Sequence, residues 1–234
     1  MNISTHDNPQ GREGLEWANF WYSQTNDNKH ERRVLMIGDS TVRMVRSTFE
    51  RLAKCPVDMI GTSSGLHDIL FIAQVEAFFV QQSYQYSHVY IQMGHHSITN
   101  DDGNDYNEQD YLRYKQDLIW LVGFVKSKYA EAKIIMLTSF LNVMPVRHKL
   151  QEGFLGWAYR KYIKLKGETY DESWNKVVRK KNEIVREVSK ELNIPFCDIE
   201  GYMQGLRKFV HKDHIHYEDK AKPTIVREYM KYLS

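Results

Sequence analysis

The sequence predicts an α/β domain, a parallel sheet covered by helices on both faces. Short apolar runs of strand length alternate along the chain with longer stretches of helical periodicity. Several of the runs stop at glycine and small polar residues: Gly38-Asp39-Ser40, Gly61-Thr62-Ser63-Ser64-Gly65 and Gly94-His95-His96-Ser97. Strands that end this way deliver side chains to the C-terminal rim of an open sheet, where ligands bind. At 234 residues the chain suits one such domain with a substantial core.

The elements follow in order. Residues 1–32 form a polar segment in which Leu15, Trp17, Ala18, Phe20, Trp21 and Tyr22 suggest a short amphipathic helix packed on the domain. Asn26-Asp27-Asn28 then makes a turn. The domain proper runs over 33–234 and begins with the strand Val34 to Ile37. Segment 41–53 reads as a helix with Val42, Val45, Phe49 and Leu52 on its apolar face. Pro56 to Ile60 is the second strand, His67 to Val80 the next helix, and His88 to Met93 the third strand. Residues 99–110, rich in Asn, Asp and Gly, form a loop at the rim.

Tyr111 to Tyr129 has the strongest helical pattern, and Lys133 to Thr138 is the fourth strand. Segment 145–170 exceeds a tight αβ connection and carries Trp157, Tyr159, Tyr162 and Tyr170 among Arg147, Lys149, Arg160, Lys161, Lys164 and Lys166. It is a candidate lid, although a peripheral helix with a solvated basic face explains the same residues. Glu172 to Leu192 is a further helix, 193–199 leads through a turn into the fifth strand, and Thr224 to Leu233 is the closing helix.

Composition excludes several classes. Lys plus Arg exceed Asp plus Glu by only two, so overall charge makes no case for nucleic acid, though it leaves room for a local basic patch. No apolar run approaches the roughly 20 residues of a membrane span, and the opening MNISTHDNPQGREG lacks the apolar core of a secretory signal. The expectation is a cytoplasmic protein of open oligomeric state. Cys55 and Cys197 are isolated, which suits reduced structural thiols.

Two stretches carry chemistry. Ser40 sits at the end of the first strand, where a nucleophile is useful, although Gly-Asp-Ser is also a common turn that caps a helix. His211-Lys212-Asp213-His214-Ile215-His216 precedes the last helix, and the spacing of Asp213 and His216 lets one turn set the carboxylate against the imidazole. Such a pair needs only a nucleophile: the carboxylate fixes the tautomer, and the other ring nitrogen takes a proton from a serine.

Taken together, Gly38-Asp39-Ser40, the Gly-rich loop after the second strand, Gly94-x-His96 and Asp213-x-x-His216 resemble the SGNH or GDSL hydrolase superfamily over residues 33–234. The resemblance implies a three-layer α/β/α sandwich with five parallel strands in order 2-1-3-4-5. It implies Ser40 as nucleophile, His216 as general base and Asp213 as its orienting carboxylate. For the oxyanion hole it implies the Ser40 backbone N–H, a glycine N–H (Gly65, with Gly61 as the other choice) and a side chain from the third block. There the family has Gly-x-Asn, whereas this chain has Gly94-His95-His96, placing His96 at the donor position. An imidazole N–H donates to an oxyanion when the right tautomer is held.

The expected activity is that of a serine esterase or deacetylase working through an acyl-serine, on a carbohydrate-linked ester, without metal or cofactor. Arg43, His95 and Trp157 are the further candidates for substrate contact; helix surface is the competing reading of Arg43. Gly38-Asp39-Ser40-x-x-Arg43 with Asp213-x-x-His216 also resembles the PC-esterase and trichome-birefringence-like proteins, which implies an O-acyltransferase, with acyl-CoA as a candidate donor, as the alternative. A third reading is a carbohydrate-binding module that keeps the fold without turnover. A fourth is a metal site built from His211, Asp213, His214 and His216 with His95 and His96, for which the sequence holds no HExxH pattern.

Overall fold

A computed structural model describes residues 17–23, 32–66, 68–81, 84–96, 106–144, 153–206 and 209–233. The expected turn at 26–28, most of the rim loop at 99–110 and the first part of the insert at 145–170 lie outside these residues, as do Leu15 and His67.

Among the described residues the sheet holds six strands: β1 Ala18–Trp21, β2 Val34–Gly38, β3 Val57–Thr62, β4 His88–Gln92, β5 Lys133–Leu137 and β6 Phe196–Cys197, in spatial order β1-β3-β2-β4-β5-β6. From β2 onward this is the parallel order 2-1-3-4-5. The difference is β1, which pairs antiparallel with β3. The expected five strands are therefore six, and part of the expected N-terminal helix is a strand. The reason is the partner: β3 would otherwise present an open edge of N–H and C=O groups. Phe20 and Tyr22 anchor the added strand by packing on Phe78, with ring centroids 5.7 and 4.8 Å away.

Every residue of β2 is buried, as a central strand covered on both faces requires. Its side chains alternate between two cores. Leu35 and Ile37 face helices α2 Ile69–Gln81, α3 Glu108–Lys128 and α5 Glu172–Glu191. Val34 and Met36 face α1 Ser40–Ala53, α6 Ile199–Gly205 and α7 Lys222–Met230. The insert contributes α4 Gly153–Lys166. The three-layer expectation thus holds, with α1 and α7 on one side of the sheet and α2, α3 and α5 on the other.

One glycine fixes how closely α1 follows β2. A Cβ at Gly38 would lie 2.6 Å from the Gln92 carbonyl oxygen and against the side chain of Val42. Only a residue without Cβ lets the strand turn directly into the helix beside β4.

Candidate active site

At the C-terminal rim, Asp39 is the N-cap of α1, its carboxylate accepting from the Thr41 backbone N–H at 2.9 Å. Ser40 is therefore the first helical residue, with its own N–H among the helix's unbonded donors. Asp39 is buried, and Oδ2 also accepts the His95 N–H at 3.4 Å, tying the first block to the third. Burial alone would push this carboxyl up. The interactions with His95 and His96 and the Thr41 hydrogen bonds outweigh it and hold the pKa below its ordinary value.

The loop before α7 brings His216 to Ser40. His216 Nε2 lies 2.7 Å from Ser40 Oγ, and Nδ1 lies 3.0 and 3.1 Å from the two Asp213 oxygens. Asp213 Oδ1 also accepts the backbone N–H groups of Ile215 at 2.8 Å and His216 at 2.6 Å. Burial opposes ionisation here, but the ring and backbone donors prevail and drive the carboxyl well below the carboxylate range. An ionised Asp213 only accepts, so Nδ1 carries the proton and Nε2 is left to accept from the Ser40 hydroxyl. The Ser40, His216 and Asp213 of the sequence reading thus lie in one continuous hydrogen-bonded chain.

Backbone contacts hold the loop in place. Lys212 N–H donates to the His216 carbonyl at 2.8 Å, and Val143 N–H donates to the His214 carbonyl at 2.9 Å. Glu168, just beyond α4, accepts the His211 N–H at 2.7 Å, and its other oxygen lies 2.8 Å from His211 Nδ1. His211 is thereby occupied as a structural clasp between the insert and the loop. Among the described residues no three His, Cys, Asp or Glu side chains cluster as a metal-ligand set.

The other candidate residues lie on several elements. Gly65 is buried in the loop beyond β3, whose parallel register with β2 brings both ends to one side, whereas Gly61 lies inside the ladder opposite Asn19. The third block starts at Gly94, where a Cβ would meet Ser139 Cβ at 2.7 Å. His96 is half-buried. Arg43 is exposed, its guanidinium 4.2 Å over the Trp17 ring. Trp157 is exposed on α4 with its ring stacked on Phe154. A cavity of about 340 Å³ opens between the end of α4, Met203 and the loop residues Phe209, Val210 and Tyr217, but none of Ser40, Asp213 or His216 lines it.

Lys181 on α5 is a residue that sequence reasoning missed. It is 1% exposed, its Nζ donates to the His96 carbonyl at 2.9 Å, and the rings of Tyr106 and Tyr114 lie 4.6 and 5.0 Å away. In the run Arg179-Lys180-Lys181 it reads as solvated surface. Its place four residues from both Val177 and Val185, on the apolar stripe of the helix, is the signal that marks it as inward.

His95 is 2% exposed, and among the described residues neither ring nitrogen has a hydrogen-bond partner. Burial pushes its pKa down to about 4, with Asp39 opposing and His96, His216 and Lys181 adding to the fall. The folded protein therefore holds His95 neutral, while the unfolded chain takes up the proton first as pH falls below the ordinary 6.5. Stability is expected to drop by about 2 kcal/mol between about pH 7 and pH 5 from this group. Urea denaturation at the two pH values should show it, and His95→Gln should flatten the dependence; an unchanged slope in the variant would mean His95 is not the group responsible.

Solved structures share this architecture. A Slackia heliotrinireducens protein described as an SGNH hydrolase aligns with TM-score 0.58 and 12% identity, over 88% of this chain and 100% of that one. Axe2, an acetylxylan esterase from Geobacillus stearothermophilus, aligns with TM-score 0.57 and 14% identity, over 87% and 94%. A member of the lipolytic G-D-S-L family from Veillonella parvula aligns with TM-score 0.58 and 13% identity, over 86% and 97%. No family model and no curated protein matches the sequence.

Proposed function

We propose that this chain, which has the fold of the SGNH hydrolases, is a serine esterase that cleaves a carbohydrate-linked ester through an acyl-Ser40 intermediate. The relay Ser40 Oγ–His216 Nε2 at 2.7 Å, backed by Asp213 at 3.0 Å, is the observation that carries this reading. In the first step Ser40 Oγ attacks the ester carbonyl carbon as its proton passes to His216 Nε2. The Ser40 and Gly65 backbone N–H groups, with His96, stabilise the oxyanion. Collapse breaks the bond to the sugar oxygen, which takes the proton from His216 and leaves as a hydroxyl. Water then enters, gives a proton to the same nitrogen and attacks the acyl carbon, and Ser40 leaves with its proton restored.

The saccharide assignment rests on two supports. The acetylxylan esterase is among the chains of similar fold, and the insert beside the catalytic loop is rich in aromatic side chains. Mass spectrometry after incubation with an acetylated xylooligosaccharide tests the reading directly. An acetyl adduct on Ser40 that decays to acetate supports the esterase; decay only when a sugar acceptor is added assigns an acyltransferase; no adduct and no turnover would leave a binding protein.

His96 supplies the third donor in this mechanism. His96→Ala is expected to lower kcat by about 100- to 1000-fold with little change in KM, because the lost hydrogen bond strengthens only as the oxyanion forms. His96→Asn restores an N–H at that position and should recover part of the loss. Steady-state kinetics on p-nitrophenyl acetate would decide it, and unaltered kcat in both variants would place His96 outside the oxyanion hole.

A further inference from the structure

The insert helix α4 has a surface at odds with the rest of the molecule. Among the described residues eleven large hydrophobic side chains are exposed, and five of them lie on this one helix: Phe154 at 77%, Leu155 at 58%, Trp157 at 51%, Tyr162 at 57% and Leu165 at 87%. The sequence of α4, GFLGWAYRKYIKLK, carries four basic residues and no acidic one. A peripheral helix of a globular protein turns its apolar stripe inward and its charges outward. Here the inward side is slight, with only Gly156 and Ile163 buried among the described side chains.

Helical spacing shows how the exposed residues are arranged. Phe154, Trp157, Lys161 and Leu165 fall at i, i+3, i+7 and i+11, one outward line down the helix, and Leu155, Tyr162 and Lys166 form a second line beside it. Phe154 and Trp157 stack with ring centroids 5.6 Å apart, and Lys161 Nζ sits 5.2 Å over the Trp157 ring. The result is a solvent-facing strip about 20 Å long, with Phe154, Leu155 and Trp157 at one end, Tyr162 and Leu165 toward the other, and ammonium groups along it.

We propose that α4 docks the protein on an anionic lipid surface. An interfacial helix needs bulky apolar and aromatic side chains to enter the headgroup–acyl boundary and Lys or Arg to meet lipid phosphates, and α4 displays both on its exposed side. No described helix is long and apolar enough to cross a membrane, so the arrangement is one of lying on the surface. Two other occupants fit less well. A second copy meeting this face about a two-fold axis would set the basic residues against their own duplicates. An acidic polysaccharide would use the rings and the ammonium groups but would leave Leu155 and Leu165 without a role.

The location gives the docking a consequence for the rim. α4 ends at Lys166, Gly167 turns the chain with φ +91°, and Glu168 then clasps His211 in the loop that bears Asp213 and His216. A lipid surface held by α4 therefore lies beside that loop. The docking itself does not depend on the esterase reading, because its readout is binding.

Sedimentation of the full chain with mixed phosphatidylcholine–phosphatidylglycerol vesicles, against pure phosphatidylcholine vesicles, tests it. Binding is expected to the mixed vesicles and to fall several-fold on raising the salt. Replacing Phe154→Ser together with Trp157→Ser should weaken partitioning by about 10-fold or more, and Lys161→Glu with Lys166→Glu should weaken it only on the anionic vesicles. Leu155→Ser with Leu165→Ser is the independent second pair, and unchanged thermal melts show that each variant folds. The proposal is overturned if the vesicles are not bound, if the substitutions leave binding intact, if an acidic polysaccharide is captured in place of vesicles, or if the same substitutions abolish self-association and nothing else.

Discussion

Ser40→Ala is expected to abolish labelling by a fluorophosphonate probe and to lower kcat for ester cleavage by about 10⁴- to 10⁶-fold, the range seen when a relay loses its nucleophile. The reasoning starts from the helix cap. Asp39 supplies the capping carboxylate of α1, and Thr41 and His95 hold that carboxylate, so the Ser40 side chain has no part in starting the helix. Its hydroxyl instead points to His216 Nε2 at 2.7 Å. Removing one oxygen therefore deletes the atom proposed to attack the ester while leaving the turn, the cap and the Ser40 N–H in place. Stability should change by well under 1 kcal/mol, as is usual where no buried group is orphaned. Intact-mass detection of the phosphonate adduct in wild type and variant makes the measurement, and a variant that still labels would remove Ser40 from the mechanism.

That outcome bears on a pairing that spacing alone cannot reach, because 176 residues separate Ser40 from His216. The resemblance in block order joined them, and the sheet provides the physical cause: β2 and the loop before α7 reach the same rim. Within single elements the reading from sequence went far. Val34 to Ile37 stood out because a strand buried on both faces has no polar alternation to confuse it. Asp213 and His216 stood out because three residues of separation sets one against the other.

What escaped the sequence was decided by partners. Leu15 to Tyr22 has a spacing that suits a helix, but the open edge of β3 recruits Ala18–Trp21 as a strand, and local pattern carries no information about a distant edge. Lys181 lay hidden in a basic run, since its burial depends on a carbonyl at His96 and two tyrosine rings contributed by other elements. The exposed strip on α4 was half visible. Its aromatic and basic residues were plain in 145–170, but the direction in which they face is a property of the fold.

Asp213→Asn is expected to cost about 10⁴-fold in kcat while leaving the loop folded, and the contrast between those two effects is what makes it informative. The carboxylate has two tasks. One oxygen accepts the backbone N–H groups of Ile215 and His216, and both face His216 Nδ1. An asparagine oxygen can keep the first task. Its amide nitrogen, however, donates, and a donor opposite Nδ1 favours the tautomer that carries its proton on Nε2. That nitrogen then offers Ser40 a proton when it needs to take one away. Asp213→Ala removes both tasks, so it should lose the loop geometry as well as the tautomer, with a lower melting temperature that Asp213→Asn does not show. Kinetics and thermal melts of the pair separate chemistry from support: a fully active Asp213→Asn enzyme would mean that His216 is held by its backbone alone, and the carboxylate would then be a cap for the loop and nothing more.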